Sequence, residues 1–324
     1  MGEGTGCLKR MRTVCALLVV AATAPATGED SLKRFEYSEV AMGGRARIVV
    51  YASDEDSAAT ACRAAFRRIA DLEDVMSDYR PDSELMRLCA NSGGPAAAVS
   101  PDLSNVLLRC VDLSARSEGA FDVTVGPLVR LWRAARRSGA MPDPAELADA
   151  RRRSGWRKMV VNADTGTVRL VEPGMLLDLG AIAKGYACDE ALRILRQAGL
   201  SRALVEMGGD IAVGDPPPGA DGWEIRIAHA PPGRQGLPIA NAAVSTSGDT
   251  EQFVEIEGRS YSHILDPRTG VGLTGGIAVT VIAPEAATSD GLATAVCVLG
   301  EPKGRELVSK YRGARIAWIG RAVN

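Results

Sequence analysis

The chain has 324 residues, 46% of them hydrophobic and 24% charged, with 38 Lys and Arg against 40 Asp and Glu for a formal charge of −2. That length holds one large domain or two small ones with a full core. The near-neutral balance gives no basis for a nucleic-acid partner.

The N-terminus reads as a targeting segment. Lys9, Arg10 and Arg12 precede the apolar run Val14–Ala24, and Ala24-Pro25-Ala26 then offers an A-x-A-like cleavage site, which together predict a signal peptide over residues 1–26. The run is eleven residues long, whereas a membrane-spanning helix needs about 20. Cys15 follows Arg-Thr-Val and lies inside the run, so no lipid-attachment site is read. The expectation is an exported, periplasmic protein, at most peripherally associated with the inner membrane, whose mature domain covers residues 32–324. Of seven cysteines, five follow the leader, at 62, 89, 110, 188 and 297. They have no C-x-x-C spacing, so they read as small buried hydrophobes rather than as a zinc site or disulfide framework.

Arg45–Ala52 alternates as a strand. Ser53 then caps a helix with apolar periodicity from Ala58 to Leu72. Ser100-Pro101 opens a second helix that Gly119 closes, and Gly126–Arg137 and Pro144–Arg153 follow as helices. Lys158–Val161 and Thr167–Val171 are β runs around the turn Asn162-Ala163-Asp164. Gly180–Ala198 reads as a helix, and Ala203–Val213 as a strand broken at Gly208-Gly209. Trp223–Ala228, Gln252–Glu257, Tyr261–Leu265 and Ile277–Ala283 are β, followed by a helix from Thr288 and the strand Arg315–Ile319. With no interior linker, the reading is one compact α+β unit with two lobes around a cleft. Gly270-Val271-Gly272-Leu273-Thr274-Gly275 matches G-x-G-x-x-G, but it leads into a strand and not a helix, so it is not a dinucleotide fingerprint.

Chemistry concentrates in a few segments. Asp290 and Thr294 are four residues apart at the start of a helix and share one face. A carboxylate and a hydroxyl among Ala and Gly residues suit Mg²⁺, which takes one or two carboxylates plus substrate phosphate oxygens; Asp290 would equally serve as a helix cap. Tyr79, in Ser77-Asp78-Tyr79-Arg80-Pro81-Asp82, can stack on a flat heterocycle or pack on its own loop. Phe121 and Asp122 follow Gly119, where backbone can approach a ligand closely, or where the Phe is simply buried and the Asp a cap. Asp178-Leu179-Gly180-Ala181-Ile182-Ala183-Lys184-Gly185-Tyr186 combines a glycine-containing helix entry with a lysine, a favourable setting for phosphate or, through turn carbonyls, for a cation, or else a plain capped helix start. Small hydroxyls line up in Val244-Ser245-Thr246-Ser247-Gly248-Asp249. Of the two histidines, His263 lies in a polar, turn-rich stretch and suits a phosphate-side or proton-transfer role, while His229 reads as structural.

Taken in order, Y-R-P-D-S-E-L, G-A-F-D-V-T-V-G-P-L-V, D-L-G-A-I-A-K-G-Y-A, M-G-G-D-I, S-T-S-G-D, S-H-I-L-D-P-R-T-G and S-D-G-L-A-T-A span most of residues 38–300. In this the chain resembles the ApbE family of FAD:protein FMN transferases. The resemblance implies an ApbE-like, T-fold-like architecture of antiparallel or mixed sheets flanked by helices. It implies an enzyme that, with Mg²⁺, cleaves FAD and passes FMN to a Thr or Ser hydroxyl of an acceptor protein, releasing AMP. The acceptor class it implies is a subunit of a membrane redox complex. By the same resemblance Asp290 and Thr294 are metal side-chain ligands and Ala181 supplies a main-chain oxygen. Met42, Tyr79, Ala120, Phe121, Asp122, Asp178 and Lys184 are flavin contacts, with Ile264 and Leu265 lining the pocket beside His263. Asp290 is expected to anchor the metal, and His263, or a carboxylate such as Asp249, to take the acceptor proton. FAD hydrolysis to FMN and AMP, and flavin binding without catalysis, are the competing readings.

Overall fold

The computed structural model describes Met1, residues 32–227, Ala230, residues 236–248 and residues 253–321. The predicted leader, His229, Asp249 and Gln252 lie outside the described residues. From the N-terminal side come β1 (Lys33–Ala41), β2 (Gly44–Ala52), α1 (Glu55–Met76), α2 (Glu84–Ala90), β3 (Ala97–Ala98) and α3 (Pro101–Arg116). Then follow α4 (Gly126–Ser138), α5 (Pro144–Arg152), β4 (Met159–Asn162), β5 (Thr167–Leu170), α6 (Ala183–Gln197), β6 (Ala203–Met207) and β7 (Asp210–Val213). The remainder is β8 (Trp223–Arg226), β9 (Gly236–Ile239), β10 (Ala242–Gly248), β11 (Phe253–Ile256), β12 (Arg259–Ser262), β13 (Leu265–Asp266) and β14 (Val271–Gly272), then β15 (Ile277–Ala283), α7 (Ala286–Leu299), α8 (Glu301–Ser309) and β16 (Arg315–Arg321).

Seven strands make the central sheet in the order β1-β2-β6-β7-β10-β15-β16, antiparallel at every step. Strand alternation divides its side chains between two cores. On one face Ile48, Val50, Val205, Val279 and Val281 meet the apolar stripes of α1, α6 and α7. On the other, Val49, Leu204, Val213, Val244 and Ile282 pack under the β8–β9 hairpin through Trp223, Ile225 and Ile239. A third cluster joins Leu128, Trp132 and Ala135 of α4 to Ala150 of α5, Ile256 of β11 and Leu265 of β13. It is pinned where Trp132 Nε1 donates to the Gly270 carbonyl at 2.8 Å. The α+β class read from the sequence is the observed one, with antiparallel pairing in every sheet and, among the described residues, one isolated parallel bridge, Val125 to Leu176.

Several local readings change. Asp54, not Ser53, caps α1, because its side chain accepts from the Ser57 N–H at 2.8 Å. Helix α6 starts at Ala183 and not Gly180, since residues 180–182 form a turn in which Ile182 keeps φ −154°. Helix α7 begins two residues before Thr288, at Ala286. The hydroxyl-rich 244–248 run is an interior strand, with polar side chains satisfied across the core rather than by solvent: Ser245 Oγ pairs with Ser289 Oγ at 2.8 Å. Strand β1 and helices α2 and α8 were not anticipated. The Gly208-Gly209 break is the β6–β7 hairpin turn, both residues at positive φ (56° and 94°) as a two-residue turn of matching twist requires. The G-x-G-x-x-G stretch runs from β14 toward β15, with no helix after it.

Candidate active site

Helices α6 and α7 cross so closely that a Cβ on Gly185 would sit 2.3 Å from the Ala286 carbonyl oxygen. Glycine permits this approach. Neither helix has a side-chain cap of its own, and each supplies the other's. Asp189 of α6 accepts from the Ala286 and Ala287 N–H groups of α7, at 2.7 and 2.9 Å. Asp290 of α7 accepts from the Gly185 N–H of α6 at 3.3 Å. Both carboxylates therefore face the positive end of the neighbouring helix.

Asp290 is 3% exposed. Burial, and then the nearby Asp210, push its carboxyl up to about 8 against the pull of Lys184 and the Gly185 N–H. Lys184, one residue into α6, donates from Nζ to Asp210 Oδ2 at 2.5 Å. Burial draws that ammonium down, but Asp290 and Asp210 outweigh it and hold it above the ordinary lysine value. Thr294 lies one turn beyond Asp290, and its hydroxyl is 3.0 Å from Ser247 Oγ of β10. A Cβ built on Gly291 would lie 3.9 Å from the Ala181 carbonyl oxygen, which places that oxygen beside the same turn of α7. One buried carboxylate, one hydroxyl and one carbonyl oxygen thus gather at the floor of the site. Among the described residues no group of three or more His, Cys, Asp or Glu side chains converges as a metal cage. A hard, sparse oxygen set around an under-compensated buried carboxylate fits Mg²⁺, which keeps several positions for water and phosphate oxygens.

A second set of groups surrounds the opening. Met42 sits at φ 49° in the β1–β2 turn, held by its N–H donating to Glu73 Oε2 at 3.0 Å. Tyr79 is 76% exposed, and the Arg133 guanidinium lies 4.3 Å from its ring centroid. Gly119 turns the chain at φ 79° so that Ala120 and Phe121 enter the core at 2% exposure. The Asp122 carboxylate has a structural role within the protein: it accepts from the Thr124 N–H and Oγ1 (2.8 and 2.6 Å) and from the Trp156 N–H (2.8 Å). Any ligand contact at Asp122 thus falls to its backbone or to lone pairs left over from a structural role. Asp178 accepts from the Gly180 N–H at 2.8 Å and from Arg133 at 3.0 Å. Burial, and then Asp78, raise its carboxyl despite those two donors. Ile264 and Leu265 are buried on the far wall, and His263 between Ser262 and Ile264 is exposed.

The ligand-contact residues predicted from the sequence line one cavity of about 1060 Å³, at the upper end of the range for small-molecule sites of about 300–1,000 Å³. It brings together every residue singled out above as a ligand contact, together with His263, Asp290 and Thr294. It also contains Arg133, Asp210 and Ser247, none of which the sequence assigns a ligand role. For Asp210 and Ser247 the signal was present, as the acid of M-G-G-D-I and a hydroxyl of S-T-S-G-D. Arg133 is one of seven arginines from residue 130 to residue 153, and nothing local marks it.

A mixed α+β fold whose one large cavity carries a buried carboxylate, a lysine and a carbonyl oxygen at the floor and an exposed tyrosine ring at the mouth has the make-up of a small-molecule site. The chain belongs to the ApbE family, whose model matches residues 42–318. It is 32% identical over 311 residues to the FAD:protein FMN transferase of Treponema pallidum, covering 90% of this chain and 86% of that protein. To the enzyme of the same description from Vibrio cholerae it is 34% identical over 247 residues, covering 74% and 73%. Among solved structures, the flavin transferase ApbE from Vibrio cholerae superposes with a TM-score of 0.76 at 30% identity, over 88% of this chain and 93% of that one. The ApbE protein from Thermotoga maritima gives 0.78 at 28% identity, over 90% and 97%.

Proposed function

We propose that this protein transfers FMN from FAD to a Ser or Thr hydroxyl of an acceptor protein and releases AMP, in a reaction that depends on Mg²⁺. The observation that carries the reading is the convergence, in one cavity, of the Asp290–Thr294–Ala181 oxygen set with Lys184 and the buried Phe121 ring at the floor and the exposed Tyr79 ring toward the mouth. In the balanced step the acceptor oxygen forms a bond to the FMN phosphorus. The pyrophosphate P–O bond breaks, AMP leaves with that oxygen, and the hydroxyl proton passes to a base. Mg²⁺, when held by Asp290, Thr294 and the Ala181 carbonyl, supplies charge neutralisation to the phosphate oxygens.

The chain's own groups do the rest. Lys184, fixed by Asp210, presents a cation that stays protonated. Ser247 holds the Thr294 hydroxyl. His263, exposed to the cavity beside buried Ile264 and Leu265, is the described residue best placed to receive the acceptor proton. Export through residues 1–26 and an acceptor among periplasm-facing redox-complex subunits belong to the same proposal. Among the described residues no helix is long and apolar enough to cross a membrane.

The test is incubation of the mature chain with FAD, with and without Mg²⁺ and a Thr-containing acceptor domain, following AMP and covalent flavin fluorescence. AMP together with labelled acceptor, both lost on chelation, is the expected result. AMP without labelling moves the reading to FAD hydrolysis, and FAD binding without AMP reduces it to a flavin-binding protein.

A further inference from the structure

Arg133 projects from α4 into the cavity wall and takes no part in the phosphate chemistry described above. Its guanidinium nevertheless joins three separate pieces of the site. Nη1 donates to Asp78 Oδ2 at 2.6 Å, Nη2 donates to Asp178 Oδ2 at 3.0 Å, and the group lies 4.3 Å from the centroid of the Tyr79 ring. Asp78 and Tyr79 come from the loop after α1, whereas Asp178 opens the turn before α6. Two carboxylates brought to one point repel each other, and this cation is what they share. The planar fork suits two carboxylates and a stacked ring at once, as a lysine ammonium does not.

The charge count indicates what the group can receive. Two carboxylates on one guanidinium leave no positive surplus, so the cluster is unsuited to phosphate. An exposed aromatic face beside a carboxylate acceptor suits a flat, uncharged ring with an N–H edge. We propose that Arg133 is a positioning residue for the isoalloxazine ring of the donor: it holds Tyr79 as a stacking face and Asp178 as an acceptor, in one preformed platform at the cavity mouth. This rests on the FMN-transfer reading. It makes Arg133 a determinant of flavin affinity rather than of phosphate activation.

The test uses the mature chain and the variants Arg133→Met and Arg133→Lys, titrated separately with riboflavin, which carries the ring without phosphate, and with ADP, which carries the adenine half. Arg133→Met is expected to weaken riboflavin by about tenfold, the scale of a lost exposed cation–π contact together with its carboxylate fork. ADP should stay within about twofold, and Arg133→Lys should recover part of the riboflavin loss by restoring charge without the fork. In a Tyr79→Ala background, Arg133→Met should add much less than its effect in the wild type, because the two act as a unit. Equal losses for both ligands would make Arg133 a merely structural residue. Loss for ADP alone would make this the adenine platform, and no loss for riboflavin would remove the platform altogether; each of these overturns the proposal. If Arg133→Met unfolds, the Asp78→Asn/Arg133→Met pair, which relieves the unmatched charge, carries the same measurement. A wild-type chain that binds none of FAD, riboflavin and ADP would sink the FMN-transfer reading instead.

Discussion

At the floor of the cavity α6 and α7 touch backbone to backbone, cap each other through Asp189 and Asp290, and bury the Asp290 carboxylate. At its mouth, Tyr79 stands 76% exposed on a single guanidinium, and Met42 occupies a strained turn at φ 49°. The floor is held by contacts that have no room to move, and the mouth by a few polar and ring contacts at the protein surface. The difference matches the two tasks of the proposed reaction. Charged phosphate oxygens need fixed dipoles and a fixed cation in a dry setting, while a large substrate and an acceptor protein must enter and leave past the rim.

The largest expected effect comes from emptying the floor of its carboxylate. Asp290→Ala should lower FMN transfer at low Mg²⁺ by at least about 10², comparable to removing a transition-state stabiliser. The same change also takes the acceptor from the Gly185 N–H. Asp290→Asn, which keeps an oxygen for that N–H, should therefore fold better than Asp290→Ala and transfer no better. Transfer near the wild-type rate in either variant would detach Asp290 from the metal.

Next comes the close approach itself. Gly185→Ala places a methyl 2.3 Å from the Ala286 carbonyl oxygen, a backbone atom that cannot rotate away. Overpacking of this kind costs about 1–3 kcal/mol, and here it also pries apart the two helices that carry Lys184 and Asp290. Thermal unfolding should show the loss of stability, and Mg²⁺-dependent AMP release should fall with it. A variant of wild-type midpoint and rate would mean that the floor is softer than its geometry implies.

Asp189 offers a subtler probe of the same joint. Burial is the main cause that raises its carboxyl from 3.8 to about 7, with the Ala287 and Ala286 N–H groups opposing. Because the folded value lies above the unfolded one, the folded chain keeps a proton that the unfolded chain has lost between about pH 4 and pH 7. Stability should fall as pH rises through that window and then level off, with a slope from this group of at most about 1.4 kcal/mol per pH unit. Denaturant unfolding of metal-free wild type and Asp189→Asn across pH 4–8 isolates it: the variant should lack that share of the slope. Identical pH profiles would place the Asp189 carboxyl in an ordinary, well-solvated state.

Sequence reasoning reached the floor and the mouth unequally. Asp290 and Thr294 were legible together because i and i+4 fall on one helix face, and Lys184 because a glycine-containing helix entry beside a cation suits phosphate, though a plain capped helix fits that pattern equally. Strands such as β2 and β15 announced themselves through β-branched, apolar runs. Strand β10 did not, because Ser245, Thr246 and Ser247 are satisfied by Ser289, Thr280 and Thr294 of elements far along the chain. Arg133 was invisible for the same reason: its partners lie 55 and 45 residues away, and only the tertiary fold makes them neighbours. Asp122 was legible as an interesting acid, but its carboxylate proves to be committed to Thr124 and Trp156.

The smallest effect expected is at the mouth, and it decides whether the mouth and floor are separable. Tyr79→Ala removes an exposed ring, so it should leave the unfolding midpoint nearly unchanged, as surface substitutions usually stay within about 0.5 kcal/mol. It should raise the KM for FAD about three- to tenfold, the scale of one lost stacking contact, with kcat reduced much less, because the phosphate-side groups on α6 and α7 are untouched. Tyr79→Phe should retain most of the affinity, since the face and not the hydroxyl does the stacking. Steady-state AMP release with saturating acceptor distinguishes the cases. A fall in kcat as large as that in Asp290→Ala would mean that the ring at the rim takes part in the chemical step, and the division between a fixed floor and a recognition rim would not hold.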